Sequence, residues 1–449
     1  MRGARPPRSS APPAAGPRPG EAARAAATVL LAAVLDDRQP LDGLLDGPAL
    51  AGLETRDRAL ARAILGTALR RHGEIDRALG KLIDKGPPRR AGRLMRFIEI
   101  AAAQILFMEV PAHAAVSIAI DQIAADDSAR HFKGFANAVL RRLAREPDTI
   151  LAGEDAGRLD TPDWLWARWS ATYGEAVARR IAEAHLVEPS LDLTVKGDPA
   201  FWAERLGGIV LPSRTVRLVP AGPVEALPGY AEGEWWVQDA AAALASGLLG
   251  DVRGKRVADL CAAPGGKTAA LAHGGARVTA VDISAPRLVR LKTNLARLHL
   301  SAETVAADIL AWAPDGDERF DAVLLDAPCS ATGTIRRHPD VAWLKRPDDI
   351  AGLASLQARM IERAAAWLRP GGTLLFCTCS LEPEEGEAQL AAARALGLEL
   401  VAVTAEEVGG IAEVVTPAGT VRTLPHHLAS PTPRLAGLDG FFMMRLRKV

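Results

Sequence analysis

Cysteine is scarce in this sequence, with four residues in a chain of 449. A chain of this length with so few cysteines is not a disulfide scaffold, which indicates a reducing, cytoplasmic compartment. All four lie in the C-terminal half, and no nearby His or Cys pair completes a zinc site with Cys377 and Cys379. We therefore expect neither disulfides nor a bound metal.

Net charge and long apolar runs are also lacking. Lys plus Arg and Asp plus Glu number 54 each, so the overall charge indicates no particular partner. No segment reaches the roughly 20 unbroken apolar residues of a membrane-spanning helix, so we expect no membrane association. Hydrophobic residues make up 49% of the chain, enough for two or three domains that each bury a core.

The first 20 residues are rich in Pro, Arg and Ala and lack the continuous apolar stretch of a secretory signal. This composition predicts a disordered tail over residues 1–20. An Arg-rich, acid-poor segment is also typical of a transit peptide, and that alternative stays open.

From residue 21 to 147 the apolar spacing predicts an all-helical domain of five to seven helices. The periodic segments are Ala23–Leu35, Arg56–Arg70, Leu94–Met108, Ala114–Ala125 and Phe135–Leu143. Basic residues cluster here, at Arg70 and Arg71, from Lys85 to Arg96, and at Arg141 and Arg142. Such clusters are typical of solvated helix faces and also of surfaces that bind nucleic acid.

The rest of the chain predicts two further regions. Residues 148–236 predict a small α+β subdomain, with a helix at Trp164–His185 and strands at Leu191–Val195 and Thr215–Leu218. From 237 to 449 strands and helices alternate, which predicts a doubly wound α/β sheet. Its predicted strands are Arg256–Leu260, Arg277–Asp282, Glu303–Asp308, Phe320–Asp326, Thr373–Thr378 and Gly440–Arg447. In such a sheet ligands bind at the carboxyl ends of the strands.

A loop of small residues follows the first of these strands and opens a helix. It comprises Cys261, Ala262, Ala263, Pro264, Gly265, Gly266 and Lys267. Small residues let the backbone approach a ligand, and the helix N-terminus offers free N–H groups to a carboxylate. The loop lacks both the G-x-x-x-x-G-K of a phosphate loop and the G-x-G-x-x-G of a dehydrogenase. By itself it is equally compatible with a plain strand-to-helix turn.

Two acids at the ends of the next strands favour a nucleotide-containing cofactor. Asp282 ends the second strand, close to where nucleotide-binding folds place an acid on the ribose hydroxyls. Asp308 ends the third, where it could accept a hydrogen bond from an adenine amino group. A lone Asp at a strand end is more often a helix cap, but three aligned strand ends make chance a poorer explanation.

Two cysteines and an acid follow the fourth and fifth strands. Asp326 and Cys329 belong to the D-A-P-C-S segment after the fourth strand, and Cys379 follows the fifth. In doubly wound order both strands neighbour the first, so Cys329 and Cys379 are expected to face one pocket beside the cofactor. A cysteine on an apolar strand is usually an inert buried thiol, an interpretation that suits Cys377 better than the other two.

These groups suit methylation of carbon 5 of cytosine, an atom too weakly nucleophilic to take a methyl group directly. A thiolate that adds at carbon 6 directs electron density to carbon 5. A carboxyl group near the ring nitrogen stabilises the adduct, and a base then removes the carbon 5 proton before the thiolate leaves. Two thiols and one acid are sufficient for this sequence of steps.

Motifs over nearly the whole chain after the tail resemble the RNA cytosine-5 methyltransferases of the NOL1/NOP2/Sun family. The resemblance is to the bacterial RsmB-type members, which carry a NusB-like helical domain and modify small-subunit ribosomal RNA. In the sheet the matching motifs are DLCAAPGGKT (259–268), VDIS (281–284), DAPCSATGT (326–334) and TCSLEPEE (378–385). In the helical region they are LGTALRR (65–71), VPAHAAVSIAI (110–120) and KGFANAVLRRLAR (133–145).

The resemblance implies a class I methyltransferase sheet, S-adenosyl-L-methionine as the cofactor, and an RNA partner. It implies cofactor contacts from the loop Cys261 to Lys267, from Asp282 to the ribose and from Asp308 to the adenine. Asp326 matches the acid that approaches both the methyl donor and the base.

The resemblance also implies distinct roles for the two cysteines. Cys379 matches the nucleophile and Cys329 the cysteine that assists product release. DNA cytosine-5 enzymes instead use the cysteine of the Pro-Cys pair as nucleophile, which favours RNA over DNA.

Two segments depart from the family pattern. Gly386 follows Glu385 where the family usually has Asn, and Thr194 and Lys196 replace Arg and Asn in the usual L-R-V-N. The second change lies in a subdomain expected to touch RNA, so it leaves the target base open.

We expect a monomer that acts on small-subunit (16S) ribosomal RNA. Another RNA such as tRNA, a DNA or different RNA position, and a non-catalytic RNA-binding protein stay as alternatives. The intact motifs argue against the last, because a protein without catalysis has no need of both thiols.

Overall fold

The computed structural model describes residues 18–220, 222–314 and 319–449. Residues 1–17 of the predicted tail lie outside the described residues. Arg18, the first described residue, donates hydrogen bonds to Ser117 and Asp121. The chain divides between Glu154 and Asp155 into two compact units. In the described part of the chain, no helix has the length and apolar character needed to cross a membrane.

The described part of the first unit is helical and has no strand. Its helices are α1 (Glu21–Leu35), α2 (Leu41–Leu45), α3 (Pro48–Ala51), α4 (Thr55–Arg70), α5 (His72–Leu82), α6 (Leu94–Phe107), α7 (Ala112–Ala125) and α8 (Lys133–Arg145). The core forms around α6, which packs against α1, α4, α7 and α8. Because Ala101, Ala102 and Ala103 are small and fully buried, neighbouring helices approach α6 closely.

The five helices predicted for this unit are confirmed, and each predicted end lies within two residues of the observed one. The described residues hold eight helices rather than five to seven. The additional short helices α2 and α3 lie in a segment rich in Asp, Gly and Pro that has no helical periodicity. Helix α5 follows α4 after Arg71 alone, so neither glycine nor proline marks that boundary.

The second unit begins with three helices and a small antiparallel sheet. These elements are α9 (Ala156–Leu159), α10 (Asp163–Tyr173), α11 (Glu175–His185), β1 (Leu191–Val195), α12 (Pro199–Leu206), β2 (Ile209–Val210), β3 (Val216–Leu218) and β4 (Trp235–Val237). The sheet order is β2-β3-β1-β4, so the predicted small α+β subdomain is observed. The single helix predicted at Trp164–His185 is wrong, because Gly174 at φ +84° separates α10 from α11.

The larger sheet contains both parallel and antiparallel strands. The remaining elements are α13 (Ala240–Gly247), β5 (Arg256–Leu260), α14 (Gly266–His273), β6 (Arg277–Asp282), α15 (Ala285–Arg297), β7 (Glu303–Ala306), β8 (Phe320–Asp326), α16 (Val341–Leu344), α17 (Pro347–Trp367), β9 (Leu368–Thr378), α18 (Gln389–Ala395), β10 (Leu398–Leu400), β11 (Val421–Thr423) and β12 (Phe441–Lys448). The strand order is β10-β12-β9-β8-β5-β6-β7, and β11 pairs with β12. Strands β5 to β9 run parallel, whereas β12 runs antiparallel to β9.

The predicted doubly wound sheet is confirmed, and β5, β6 and β8 have the predicted bounds. Strand β9 starts at Leu368, earlier than predicted, because Leu368 pairs with Phe320 of β8. The chain order reverses between β5 and β8, which is where a doubly wound sheet opens a crevice for ligands. The carboxyl ends of β5, β8 and β9 therefore lie side by side.

Candidate active site

The loop between β5 and α14 has a backbone shape that requires glycine. Gly265 has φ +104°, and a Cβ there would lie 2.8 Å from Leu291 Cγ of α15. Glycine is therefore needed both for the left-handed backbone and for the close approach of α15. The first-turn amides of α14 have no acceptor within the helix and are available to an anionic group.

Asp282 links the end of β6 to this loop. Its Oδ2 accepts from Ala263 N at 3.1 Å, and its Oδ1 accepts from Ser284 N at 2.8 Å. Each carboxylate oxygen keeps a further lone pair that could accept from a ribose hydroxyl. The guanidinium of Arg287 lies 3.7 Å from Asp282 Oδ2 and also donates to the carbonyl of Ala263.

Asp308 is exposed after β7, where its Oδ1 accepts from Leu310 N at 2.9 Å. Ile283, which directly follows Asp282, is 73% exposed. Ile283 was not among the predicted site residues, and its only signal in the sequence is its place directly after a strand-end acid. Such a side chain offers an apolar contact to a flat ring beside the ribose position.

Lys267 on α14 connects the loop to Asp326 at the end of β8. Its Nζ donates to Asp326 Oδ2 at 2.7 Å, and it lies 5.3 Å from the centre of the Phe441 ring. Burial alone would lower the pKa of the ammonium, but the charge of Asp326, the hydrogen bond to it and the nearby Cys377 and Cys379 together outweigh burial and raise the pKa. Asp326 therefore has a permanent cationic partner.

Two of the thiols meet at the ends of β8 and β9. Cys329 Sγ lies 3.5 Å from Cys379 Sγ, and both residues are partly exposed. The hydrogen bond to Cys379, together with burial, raises the pKa of the Cys329 thiol. The predicted convergence of these cysteines on one site is observed.

Cys377 lies apart from this pair. It is fully buried, donates to Asp326 Oδ1 at 3.4 Å, and has a pKa raised by burial. These observations agree with the interpretation of Cys377 as an inert buried thiol. Cys261, at φ +61°, likewise has a pKa raised by burial.

Glu385, which the sequence indicated only as the end of a motif, accepts hydrogen bonds from Ser330 and Ser380. Its side chain is completely buried beside the residues that follow the two thiols. Gly386 allows this packing, because a Cβ there would lie 2.5 Å from Arg422 Nη2 and 2.9 Å from Phe442 Cγ. Gly386, which stands where the family usually has Asn, is therefore packed closely against Arg422 and Phe442.

The altered segment of the small sheet has partners within the unit. Thr194 Oγ1 donates to Gln238 Oε1 at 2.9 Å, and Lys196 Nζ donates to the carbonyl of Leu298. Thr194 therefore pairs with the segment between β4 and α13, and Lys196 with the end of α15.

The residues at the carboxyl edge of the sheet fit S-adenosyl-L-methionine. Asp259 Oδ1 is a buried oxygen with no hydrogen-bond partner among the described residues, and it lies at the start of the glycine-containing loop. Free helix amides suit the carboxylate of the cofactor, Asp282 suits the ribose, and Ile283 with Asp308 suits the adenine. Fold and site together define a class I, S-adenosyl-L-methionine-dependent methyltransferase.

Comparison with known proteins shows to which family of methyltransferases the chain belongs. The family described as 16S rRNA methyltransferase RsmB/F matches residues 247–447, and the NusB family matches residues 21–145. The ribosomal RNA small subunit methyltransferase B of Xanthomonas campestris pv. campestris is 39% identical over 393 residues. That match covers 83% of this chain and 87% of the relative. The chain belongs to the RsmB/F family of RNA methyltransferases.

Solved structures show the same fold. The crystal structure of PH0851 has a TM-score of 0.75 at 24% identity, over 96% of this chain and 99% of that one. NSun6 from Pyrococcus horikoshii, solved with SFG, has a TM-score of 0.54 at 20% identity, over 64% of this chain and 98% of that one. Together with the family matches, this fold makes the protein an S-adenosyl-L-methionine-dependent RNA methyltransferase with a NusB-like domain.

Proposed function

We propose that the protein methylates carbon 5 of a cytosine in small-subunit (16S) ribosomal RNA through a covalent adduct on Cys379. The observation that carries this proposal is the 3.5 Å separation of the Cys329 and Cys379 sulfurs beside Asp326. Support for the target comes from the relatives, which are named ribosomal RNA small subunit methyltransferase B.

Cys379 acts first in the proposed mechanism. Its thiolate forms a bond to carbon 6 of the cytosine, and the displaced electron pair moves through the ring to carbon 5. Asp326, held by Lys267 at 2.7 Å, stabilises the ring nitrogen side of the adduct. The cofactor, when bound, supplies an electrophilic methyl group to carbon 5.

Release reverses the addition. A base removes the proton from carbon 5, the electron pair restores the ring double bond, and the bond between carbon 6 and Cys379 breaks. Cys329 assists this step, since its sulfur is 3.5 Å from the sulfur that holds the base. The distance between the two sulfurs does not distinguish the nucleophile from the assisting thiol. We assign Cys379 as the nucleophile because it matches the cysteine of the T-C-S motif.

The test of these roles traps the adduct. Small-subunit ribosomal RNA and cofactor are incubated with wild type, Cys329→Ala, Cys379→Ala and the double variant, and then run on denaturing gels. We expect a stable protein–RNA adduct with Cys329→Ala alone, because addition proceeds and release stalls. An adduct with Cys379→Ala instead would reverse the roles and favour a DNA-type mechanism.

The methylated atom has a separate test. RNA that carries tritium at carbon 5 of its cytosines should release tritium to water in a one-to-one ratio with methyl transfer. The double cysteine variant is the control and should release none. Methyl transfer by wild type without tritium release would mean that another atom is methylated.

Methylation of another RNA, such as tRNA, is the second candidate. Activity on tRNA and 16S ribosomal RNA at equal concentration decides between them, and we expect kcat/KM to be higher for the ribosomal RNA.

We propose that the enzyme acts as a monomer, so light scattering should give a mass close to the 47.4 kDa of one chain.

A further inference from the structure

One buried carboxylate joins the two segments that carry the reactive thiols. Glu385 accepts from Ser330 N at 2.9 Å and from the Ser330 hydroxyl through its two oxygens. It also accepts from Ser380 Oγ at 2.6 Å and from Gln357 Nε2 at 3.1 Å. All of these donors are uncharged, and the side chain has no exposure to solvent.

The two serines are the immediate neighbours of the two thiols. Ser330 follows Cys329 and Ser380 follows Cys379, at places 50 residues apart in the chain. The serine hydroxyls also lie 3.0 Å from each other. A single carboxylate thus links the residues adjacent to both sulfurs across the junction of β8 and β9.

A charged acceptor suits this position better than a neutral one. Burial of a carboxylate is costly unless hydrogen bonds compensate for it, and bonds to a charged acceptor are about twice as strong as neutral ones. An amide would offer one oxygen and would turn an NH₂ group toward a donor. The arrangement therefore selects Glu over Gln.

We propose that Glu385 is a positioning residue that holds Cys329 and Cys379 at the separation needed for addition and release. The inference rests on the proposed function of the two cysteines. Glu385 acts through Ser330 and Ser380, while the carbonyl of Glu385 accepts from Thr378 Oγ1 at 2.9 Å and ties the loop to β9 independently of the carboxylate.

Glu385→Gln changes only the carboxylate, because the hydrogen bond from Thr378 Oγ1 to the backbone carbonyl of residue 385 is kept. The matched control is Glu384→Gln, one residue earlier, where the side chain is 47% exposed and pairs with Arg168. We expect Glu385→Gln to lower kcat about 10- to 100-fold, because small displacements of reacting groups have costs of this size. KM for RNA should change less than about twofold, because the carboxylate is completely buried. Glu384→Gln should resemble wild type.

Thiol geometry is measured without any methyl transfer. Diamide takes two electrons and two protons from a pair of thiols to form a disulfide, and the rate reports how closely Cys329 and Cys379 are held. In the Cys261→Ala, Cys377→Ala background, which leaves only this pair, we expect Glu385→Gln to slow disulfide formation about tenfold or more relative to Glu384→Gln.

A double-mutant cycle with Ser380→Ala tests whether Glu385 acts through the serine. The effects on kcat and on the diamide rate should be clearly less than additive, because both changes remove the same link. Additive effects, or an unchanged diamide rate in Glu385→Gln, would overturn the proposal. Retained methyl transfer in Cys379→Ala would instead contradict the proposed function, while the diamide rate would still report on Glu385.

Discussion

Asp259 illustrates how burial sets the charge of a single carboxyl at this site. It is completely buried at the end of β5, and its Oδ2 accepts from Thr268 Oγ1 at 2.5 Å. Burial raises the pKa of Asp259 to about 7, although the hydrogen bond from Thr268 and the charge of Lys267 both act in the opposite direction. The carboxyl therefore titrates close to neutral pH.

A pH dependence of stability follows from this pKa. The unfolded carboxyl titrates near pH 3.9 and the folded one near 7, so between these values the folded state binds more protons. The stabilising contribution is full below about pH 4 and is lost as the pH rises through about 7. We expect the Tm of wild type to fall more steeply between pH 5 and 8 than that of Asp259→Asn.

The control for this prediction is Asp251→Asn. The hydrogen bond from the Arg253 side chain lowers the pKa of the exposed Asp251 to about 2, below the tested range. This variant should keep the pH slope of wild type in a thermal melt. Equal slopes for wild type and Asp259→Asn would contradict the assignment of the titration to Asp259.

At the scale of elements, the loop after Cys329 packs closely against the backbone of Gly440, directly before β12. Gly333 N donates to the carbonyl of Cys379 at 3.0 Å, and Gly440 N donates to the carbonyl of Gly333 at 2.8 Å. A Cβ on Gly333 would lie 2.0 Å from Gly440 O, so the two backbones leave no room for a side chain.

We expect Gly333→Ala to destabilise the protein by about 1–3 kcal/mol, because overpacking forces the backbones apart. The variant should also lower kcat, since the bond from Gly333 to Cys379 is weakened. Gly352→Ala is the matched control, because it lies exposed in α17 with no atom within 4 Å of an added Cβ. Urea unfolding and initial rates measure both effects; equal stability of the two variants would contradict the prediction.

At the scale of the whole molecule, balanced total charge conceals an uneven distribution. Helix α8 buries Ala136, Val139, Leu140 and Leu143 on one face. Its exposed residues include Lys133, Arg141, Arg142 and Arg145. This basic face is available to the phosphates of an RNA partner.

Replacement of Arg141, Arg142 and Arg145 by Ala should weaken RNA binding and reduce its salt dependence. If each contacts one phosphate, the slope of log K against log salt should fall by about 2 to 3. Arg253→Ala is the control, since Arg253 is exposed but paired with Asp251 at 2.8 Å. Filter binding between 50 and 200 mM salt measures the slope, and an unchanged slope would exclude α8 as the phosphate-binding face.

Predictions from sequence were accurate where local pattern decides structure. The alternation of strand and helix segments after residue 237 predicted β5, β6 and β8 with their observed bounds. The pattern failed at Gly174, because helical periodicity continues across it while its backbone at φ +84° leaves the helix. It also missed the early start of β9, since only pairing with Phe320 of β8 makes Leu368 part of a strand.

The sequence by itself determined the class of fold, the candidate cofactor loop and the two candidate thiols, because each is contained in short segments with a local signature. Only the tertiary structure decided that the Cys329 and Cys379 sulfurs lie 3.5 Å apart and that Cys377 donates to Asp326. It also decided that Glu385 joins Ser330 to Ser380. The reason is strand order: β8 and β9 are neighbours in the sheet, so residues about 50 positions apart share one buried hydrogen-bond network.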